Sequence, residues 1–152
     1  MILGALVDAG LSIDRLRSSL SKLNAKGYSI SSMNTCRGGI NGTLVLVDQD
    51  DVGRKRRGAT EFFDDIKTSN LPKSVIEKSL KIFKNLAYAE AKIHGSSVEQ
   101  VTLHELGEVD TLVDVVGSVL GLEMLGVEQV FCSPLAAGSG FVKTEHGYLS
   151  VP

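Results

Sequence analysis

The sequence lacks a basic excess, a metal-binding cysteine pattern and a long apolar run. Because 16 Lys and Arg residues face 18 Asp and Glu residues, the formal charge of −2 argues against a general nucleic-acid binder. Its two cysteines, Cys36 and Cys132, match no zinc or redox spacing, which indicates reduced thiols in a cytoplasmic protein. No apolar run approaches the roughly 20 residues of a membrane span, so we expect no membrane partner.

What the chain does have is the composition of an ordinary globular protein. Apolar residues make up 43% and charged residues 22% of its 152 residues, which suits a single domain over 1–152. Met1 opens directly into the apolar stretch 2–7, and Val151-Pro152 follows a strand-like stretch. We interpret both ends as cuts through a longer chain.

Periodicity and turn residues predict helices interspersed with strands. Helices are expected over 2–9, 12–26, 60–68, 70–94 and 108–125. Strands are expected over 28–35, 44–47, 101–103, 127–131, 141–142 and 148–151, with a bulged hairpin turn over 37–42. The expected class is α+β, a mixed β-sheet with packed helices. Residues 48–58 form a charged loop that we expect to be flexible, although a phosphate-binding tip remains open.

The predicted helix over 108–125 is apolar nearly all round but carries a narrow acidic stripe. Asp110 and Asp114 are one turn apart, and the small residues Ser118 and Gly121 continue that face, with Gly117 beside it. One interpretation is the solvent side of a core helix. The other is a pocket wall that holds a metal ion or a cationic ligand, where small residues allow close approach.

His104 and Glu105 precede this helix, within one or two turns of Asp110. Imidazole and carboxylates together suit a borderline divalent metal such as nickel, zinc or cobalt, so His104, Glu105, Asp110 and Asp114 are candidate ligands. A lone histidine is also common as a capping or core residue. His94 lies in the last turn of the helix over 70–94, where the negative end of the helix dipole favours a positive charge, and we expect a structural role for it.

A glycine-rich stretch near the end of the chain is a candidate anion site. Gly138, Ser139 and Gly140 are followed by Lys143 and His146. The spacing fails the P-loop pattern, yet exposed amides and a nearby lysine could hold an anion. A tight loop between strands explains the same residues equally well.

Two segments resemble the LarC family of nickel insertion proteins. Residues 103–117, Leu-His-Glu-Leu-Gly-Glu-Val-Asp-Thr-Leu-Val-Asp-Val-Val-Gly, are similar to the family's H-F-H-E-V-G-A-V-D-S-I-V-D-I-V-G. Ser133-Pro134-Leu135, Gly138 to Thr144 and His146-Gly147 are similar to its S-P-L-x-x-G-S-G-x-V-x-x-x-H-G. The resemblance covers essentially the whole chain.

The resemblance implies the N-terminal part of a cyclometallase that inserts nickel into pyridinium-3,5-bisthiocarboxylic acid mononucleotide. The product is the nickel-pincer cofactor of lactate racemase, and the lyase-class reaction consumes CTP and needs manganese or magnesium. The resemblance implies that CTP binds in a C-terminal domain outside this chain, that the fragment alone is inactive, and that the protein is a homo-oligomer. It places metal handling at His104, Glu105, Asp110 and Asp114, and the substrate near Gly138, Ser139, Gly140, Lys143 and His146, and it leaves the catalytic residues unknown.

This sequence departs from the family pattern at three places. Thr102 stands where the family has its first histidine, and Glu108 replaces an alanine. A basic stretch, Arg54 to Arg57, stands where many members carry histidines, so nickel storage there is unsupported.

Two other hypotheses remain: a non-catalytic scaffold or oligomerisation domain, and an acidic-site hydrolase, for which the sequence lacks a convincing pair of nucleophile and base. Nickel binding weaker than about 1 mM would favour the scaffold.

Overall fold

The computed structural model describes residues 1–104, 106–144 and 147–151, and these form an α+β arrangement, which confirms the expected class. In these ranges the helices are α1 (Ile2–Asp8), α2 (Ile13–Leu20), α3 (Ala59–Lys67), α4 (Lys73–His94) and α5 (Val109–Met124). The strands are β1 (Tyr28–Arg37), β2 (Ile40–Gln49), β3 (Gly140–Thr144) and β4 (Gly147–Val151). No helix among the described residues is both long and apolar enough to cross a membrane.

The expected mixed sheet is replaced by two separate antiparallel hairpins, β1–β2 and β3–β4. Pairing of β1 with β2 runs without interruption from Tyr28 opposite Gln49 to Arg37 opposite Ile40, so the expected bulges are absent from this hairpin. Gly38 and Gly39 form the connecting turn with φ values of 57° and 81°. Two successive positive φ values match the twist of a tight hairpin, which explains why a Gly-Gly pair suffices without bulges.

The prediction of a buried strand over 127–131 is wrong. These residues are assigned to no strand, and every residue from 125 to 143 is exposed. Val130 and Phe131 are 72% and 88% exposed, because no described strand lies beside them to bury their side chains. The expected strand over 101–103 reduces to a single bridge between Gly58 and Thr102.

Helix α5 lies at the centre of the hydrophobic core. Leu112, Val113 and Val116 are completely buried, and the helix packs against α1, α2, α4 and β2. A Cβ added to Gly121 would lie 2.7 Å from Cδ1 of Leu6, which is closer than real contacts allow. Gly121 therefore serves the close approach of α1 and α5, not a ligand.

Helix α4 begins at Lys73, after Pro72, three residues later than the expected start at residue 70, and Gly95 caps its end at His94. Gly95 adopts a left-handed conformation with φ of 60°, a common end for a helix. The ring of Phe83, which is fully buried, lies 5.2 Å from the ring of Phe62 on α3. This packing holds the middle of α4 against α3.

The charged loop that follows β2 is hydrogen-bonded to its surroundings at several points. Gly53 N donates to Asp50 Oδ1, and the carbonyl oxygen of Gly53 accepts from Val109 N at 3.0 Å. Arg57 binds Asp65 at 2.6 Å and lies over the ring of Phe62. These contacts join the loop to the start of α5; its flexibility stays a prediction that hydrogen exchange would test.

Candidate metal centre

Three potential metal ligands from two parts of the chain meet at the end of α4. Glu90 and His94 are one helical turn apart, and His104 lies in the segment that leads to α5. That segment is held by its apolar neighbours, because Val101 is 3% exposed and Leu103 is completely buried. Leu103 turns into the core, and the adjacent His104 is left half-buried beside α4.

The three side chains are close enough to share one ion. His94 Nε2 lies 3.3 Å from Glu90 Oε2 and 3.2 Å from His104 Nδ1. All three ligand atoms lie within 4.8 Å of one another, and the two imidazole rings are 4.6 Å apart between centroids. Glu90 and His94 are only 17% and 23% exposed, so the group is sheltered but reachable from solvent. Two imidazoles and a carboxylate suit borderline divalent metals.

Asp110 and Asp114 lie on α5, as the sequence predicts, and neither belongs to the three-residue group. Asp110 Oδ1 accepts from Thr111 N at 2.7 Å. Asp114 lines a hollow of about 400 Å³ whose other described lining residues are Met1, Ile2, Ile82, Val115 and Ser118. None of these described residues is a histidine.

Partial burial raises the pKa of the Asp114 carboxyl above its usual range. The Met1 amino group lowers this pKa, and the negative charge of Asp110 raises it. The two aspartates therefore interact electrostatically, as expected for carboxylates one turn apart. A cation in the hollow would offset both the burial and the repulsion.

Of the predicted metal ligands, His104 alone belongs to the three-residue group, and Glu105 lies outside the described residues. Sequence reasoning missed Glu90 and His94 as ligands. The available signal was the i,i+4 spacing of a carboxylate and an imidazole at the end of a helix, ten residues before His104.

The predicted substrate residues lie on the exposed C-terminal segment. Gly138, Ser139, Gly140 and Lys143 are all exposed, and Gly138 and Gly140 adopt positive φ values of 78° and 98°. His146 lies outside the described residues. Their role in substrate binding stays a prediction.

Comparison with known proteins places the chain in a family. The family model described as nickel insertion protein matches residues 1–152. This chain belongs to the nickel insertion protein family. Two strains of Desulfitobacterium hafniense, DCB-2 and Y51, have relatives named pyridinium-3,5-bisthiocarboxylic acid mononucleotide nickel insertion protein, and each is 46% identical over 152 residues.

Another relative, from Roseiflexus castenholzii, has a name that includes the words nickel insertion protein. It is 47% identical over 152 residues. In all three comparisons the whole chain is covered but only 38% of the relative, so the chain spans well under half the length of these nickel insertion proteins. No solved structure matches the chain significantly.

Proposed function

We propose that this chain is the N-terminal part of a nickel insertion protein that acts on pyridinium-3,5-bisthiocarboxylic acid mononucleotide. The observation that carries the proposal is the family match over residues 1–152, together with relatives named for this substrate. Nickel is a substrate of the reaction, delivered to the two thiocarboxylate groups of the acceptor. The product is the nickel-pincer cofactor of lactate racemase.

The ligand chemistry of the described residues supports a part in metal handling. Imidazole and carboxylate groups bind a borderline ion but compete poorly with sulfur for it, so they can hold nickel before transfer. His104 supplies an imidazole beside α4, and Asp110 with Asp114 supplies negative charge along α5. We assign Glu105 to metal handling as well, and Gly138, Ser139, Gly140, Lys143 and His146 to binding of the nucleotide-like substrate.

The rest of the reaction belongs to the longer protein. CTP hydrolysis, with manganese or magnesium, is assigned to a C-terminal domain outside this chain, and the overall activity to a cytoplasmic lyase. We expect the 152-residue chain alone to be inactive. Its homo-oligomeric state is a prediction that sedimentation velocity would test.

The test is a cofactor assembly assay with a full-length protein that carries this chain. The assay supplies nickel, the bisthiocarboxylic acid mononucleotide, CTP and magnesium or manganese, and measures activation of apo lactate racemase. We expect His104→Ala and Asp114→Ala to abolish assembly while circular dichroism shows folded protein. Glu77→Ala is the matched control, because Glu77 is an exposed carboxylate on α4 that pairs only loosely with Lys73 at 3.7 Å.

Two results would contradict the proposal at different levels. No assembly by the unaltered protein would refute the assigned reaction. Full assembly by both the His104 and the Asp114 variants would leave the reaction in place and remove these two residues from it.

A further inference from the structure

We propose that Glu90, His94 and His104 form a half-open site that binds one Ni²⁺ ion at the junction of α4 and the segment before α5. Only the identity of the metal depends on the proposed function. The ligand set follows from the distances in the folded chain, and it includes Glu90 and His94, which lie outside the two sequence segments that carry the family resemblance.

The spacing of the three ligand atoms fits a single ion. Ligands about 2.0–2.1 Å from a metal at the corners of a tetrahedron lie about 3.3–3.4 Å from each other. The observed separations from His94 Nε2 are 3.3 Å to Glu90 Oε2 and 3.2 Å to His104 Nδ1. Small side-chain rotations would bring the third pair, now within 4.8 Å, to the same spacing.

The backbone around the site holds these ligands in place before a metal arrives. Glu90 and His94 share one face of the 22-residue helix α4, one turn apart. His104 is anchored by its completely buried neighbour Leu103, and the carbonyl oxygen of Val101 accepts from Ala59 N at 3.3 Å. A site preorganised in this way loses little conformational entropy on binding an ion.

The three ligands that the described residues supply leave coordination positions for water or for an incoming sulfur. Sites with three protein ligands are typical of metals that exchange or react, whereas closed four-ligand sites are typical of structural metals. Transfer to a thiocarboxylate is then a ligand exchange in which nickel stays divalent and each departing donor keeps its lone pair. The partial exposure of Glu90 and His94 allows an acceptor to approach.

The experiment is equilibrium dialysis of the tag-free full chain against Ni²⁺ alone. We expect one Ni²⁺ per chain. Loss of a second-shell partner already weakens metal binding about 10–100-fold, so loss of a direct ligand in His94→Ala should cost at least tenfold. Glu90→Gln removes the charge and keeps the side-chain shape, and Glu77→Gln is its matched control on the same helix.

The outcomes separate the site from its rivals. Tenfold or greater weakening in both His94→Ala and Glu90→Gln, with Glu77→Gln unchanged, supports the site. If His94→Ala fails to fold, the comparison of Glu90→Gln with Glu77→Gln tests the site without it. The proposal is overturned if the unaltered chain binds no nickel. It is also overturned if both site variants keep full affinity while Asp114→Asn loses it, which would move the ion to α5.

Failure here is distinguishable from failure of the proposed function. Dialysis reports nickel binding without the mononucleotide substrate or CTP, and the assembly assay reports the complete reaction. Nickel binding as expected in a protein that assembles no cofactor would refute the proposed function and leave this site standing. Cofactor assembly by a protein that binds no nickel at His94 and His104 would refute this site and leave the proposed function standing.

Discussion

Replacing Gly53 by alanine should destabilise the chain strongly, although the change adds a single methyl group. A Cβ at this position would lie within 3.0 Å of the Gly27 carbonyl and 2.9 Å from Cγ1 of Val109. Because the first obstacle is backbone, no side-chain rotation can relieve it. The loop must move away from Gly27, and the start of α5 must follow.

The expected cost has two parts. Overpacking of this kind costs about 1–3 kcal/mol. Displacement also weakens the hydrogen bonds from Gly53 N to Asp50 Oδ1 and from Val109 N to the Gly53 carbonyl, each worth about 0.5–1.5 kcal/mol. The reduced entropy of the unfolded chain returns about 0.4–1 kcal/mol. The net loss in the free energy of unfolding should be about 2–4 kcal/mol.

Urea denaturation followed by circular dichroism measures this loss. With a denaturant slope of about 1–3 kcal/mol per molar, the midpoint should fall by about 1–2 M. Gly42→Ala is the matched control, since no heavy atom lies within 4 Å of a Cβ there and its φ is not positive. It should change stability by less than about 1 kcal/mol. Equal midpoints for the two variants would refute the close approach of Gly27 and Gly53.

Three further predictions concern buried or partly buried side chains. Because folding raises the pKa of Asp114, this carboxyl contributes stability below its unfolded pKa and loses that contribution as pH rises through its folded pKa. Asp114→Asn should therefore gain stability relative to the unaltered chain as the pH rises above the unfolded pKa of about 3.9, and parallel stability curves would contradict the raised pKa. Asp65→Asn should cost about 1.5–3 kcal/mol in urea denaturation, because it leaves the half-buried Arg57 guanidinium without its carboxylate at 2.6 Å; a change below about 0.5 kcal/mol would mean that this ion pair is solvated. Leu103→Ala should cost about 2–5 kcal/mol in thermal or urea unfolding, since this side chain is completely buried, and a near-neutral result would place the segment before α5 outside the core.

Helices α4 and α5 could be predicted from the sequence because their determinants are local. Apolar residues recur at helical spacing along α4, and Gly95 ends it in a left-handed conformation, as the sequence indicates. Because α5 is apolar nearly all round, the sequence predicts that this helix is buried, and the completely buried Leu112 confirms it. Local patterns of this kind need no knowledge of the neighbouring elements.

The features that could not be predicted depend on which elements meet. A stretch such as 127–131 becomes a strand only where another strand pairs with it, and the described chain supplies none there. Gly121 fits a ligand pocket and a helix contact equally well until α1 is placed beside it. His94 becomes a candidate ligand only once the chain is seen to return at His104.

The hairpin formed by β3 and β4 has a consequence for concentrated samples of this chain. Each strand pairs on one side only within the described residues, which leaves two rows of backbone amides and carbonyls open to another molecule. Phe141 and Tyr148, which are 79% and 75% exposed, add apolar aromatic surface to this hairpin. Association of two molecules through the free edges of β3 and β4 would raise the apparent mass in light scattering. Phe141→Lys should suppress this association.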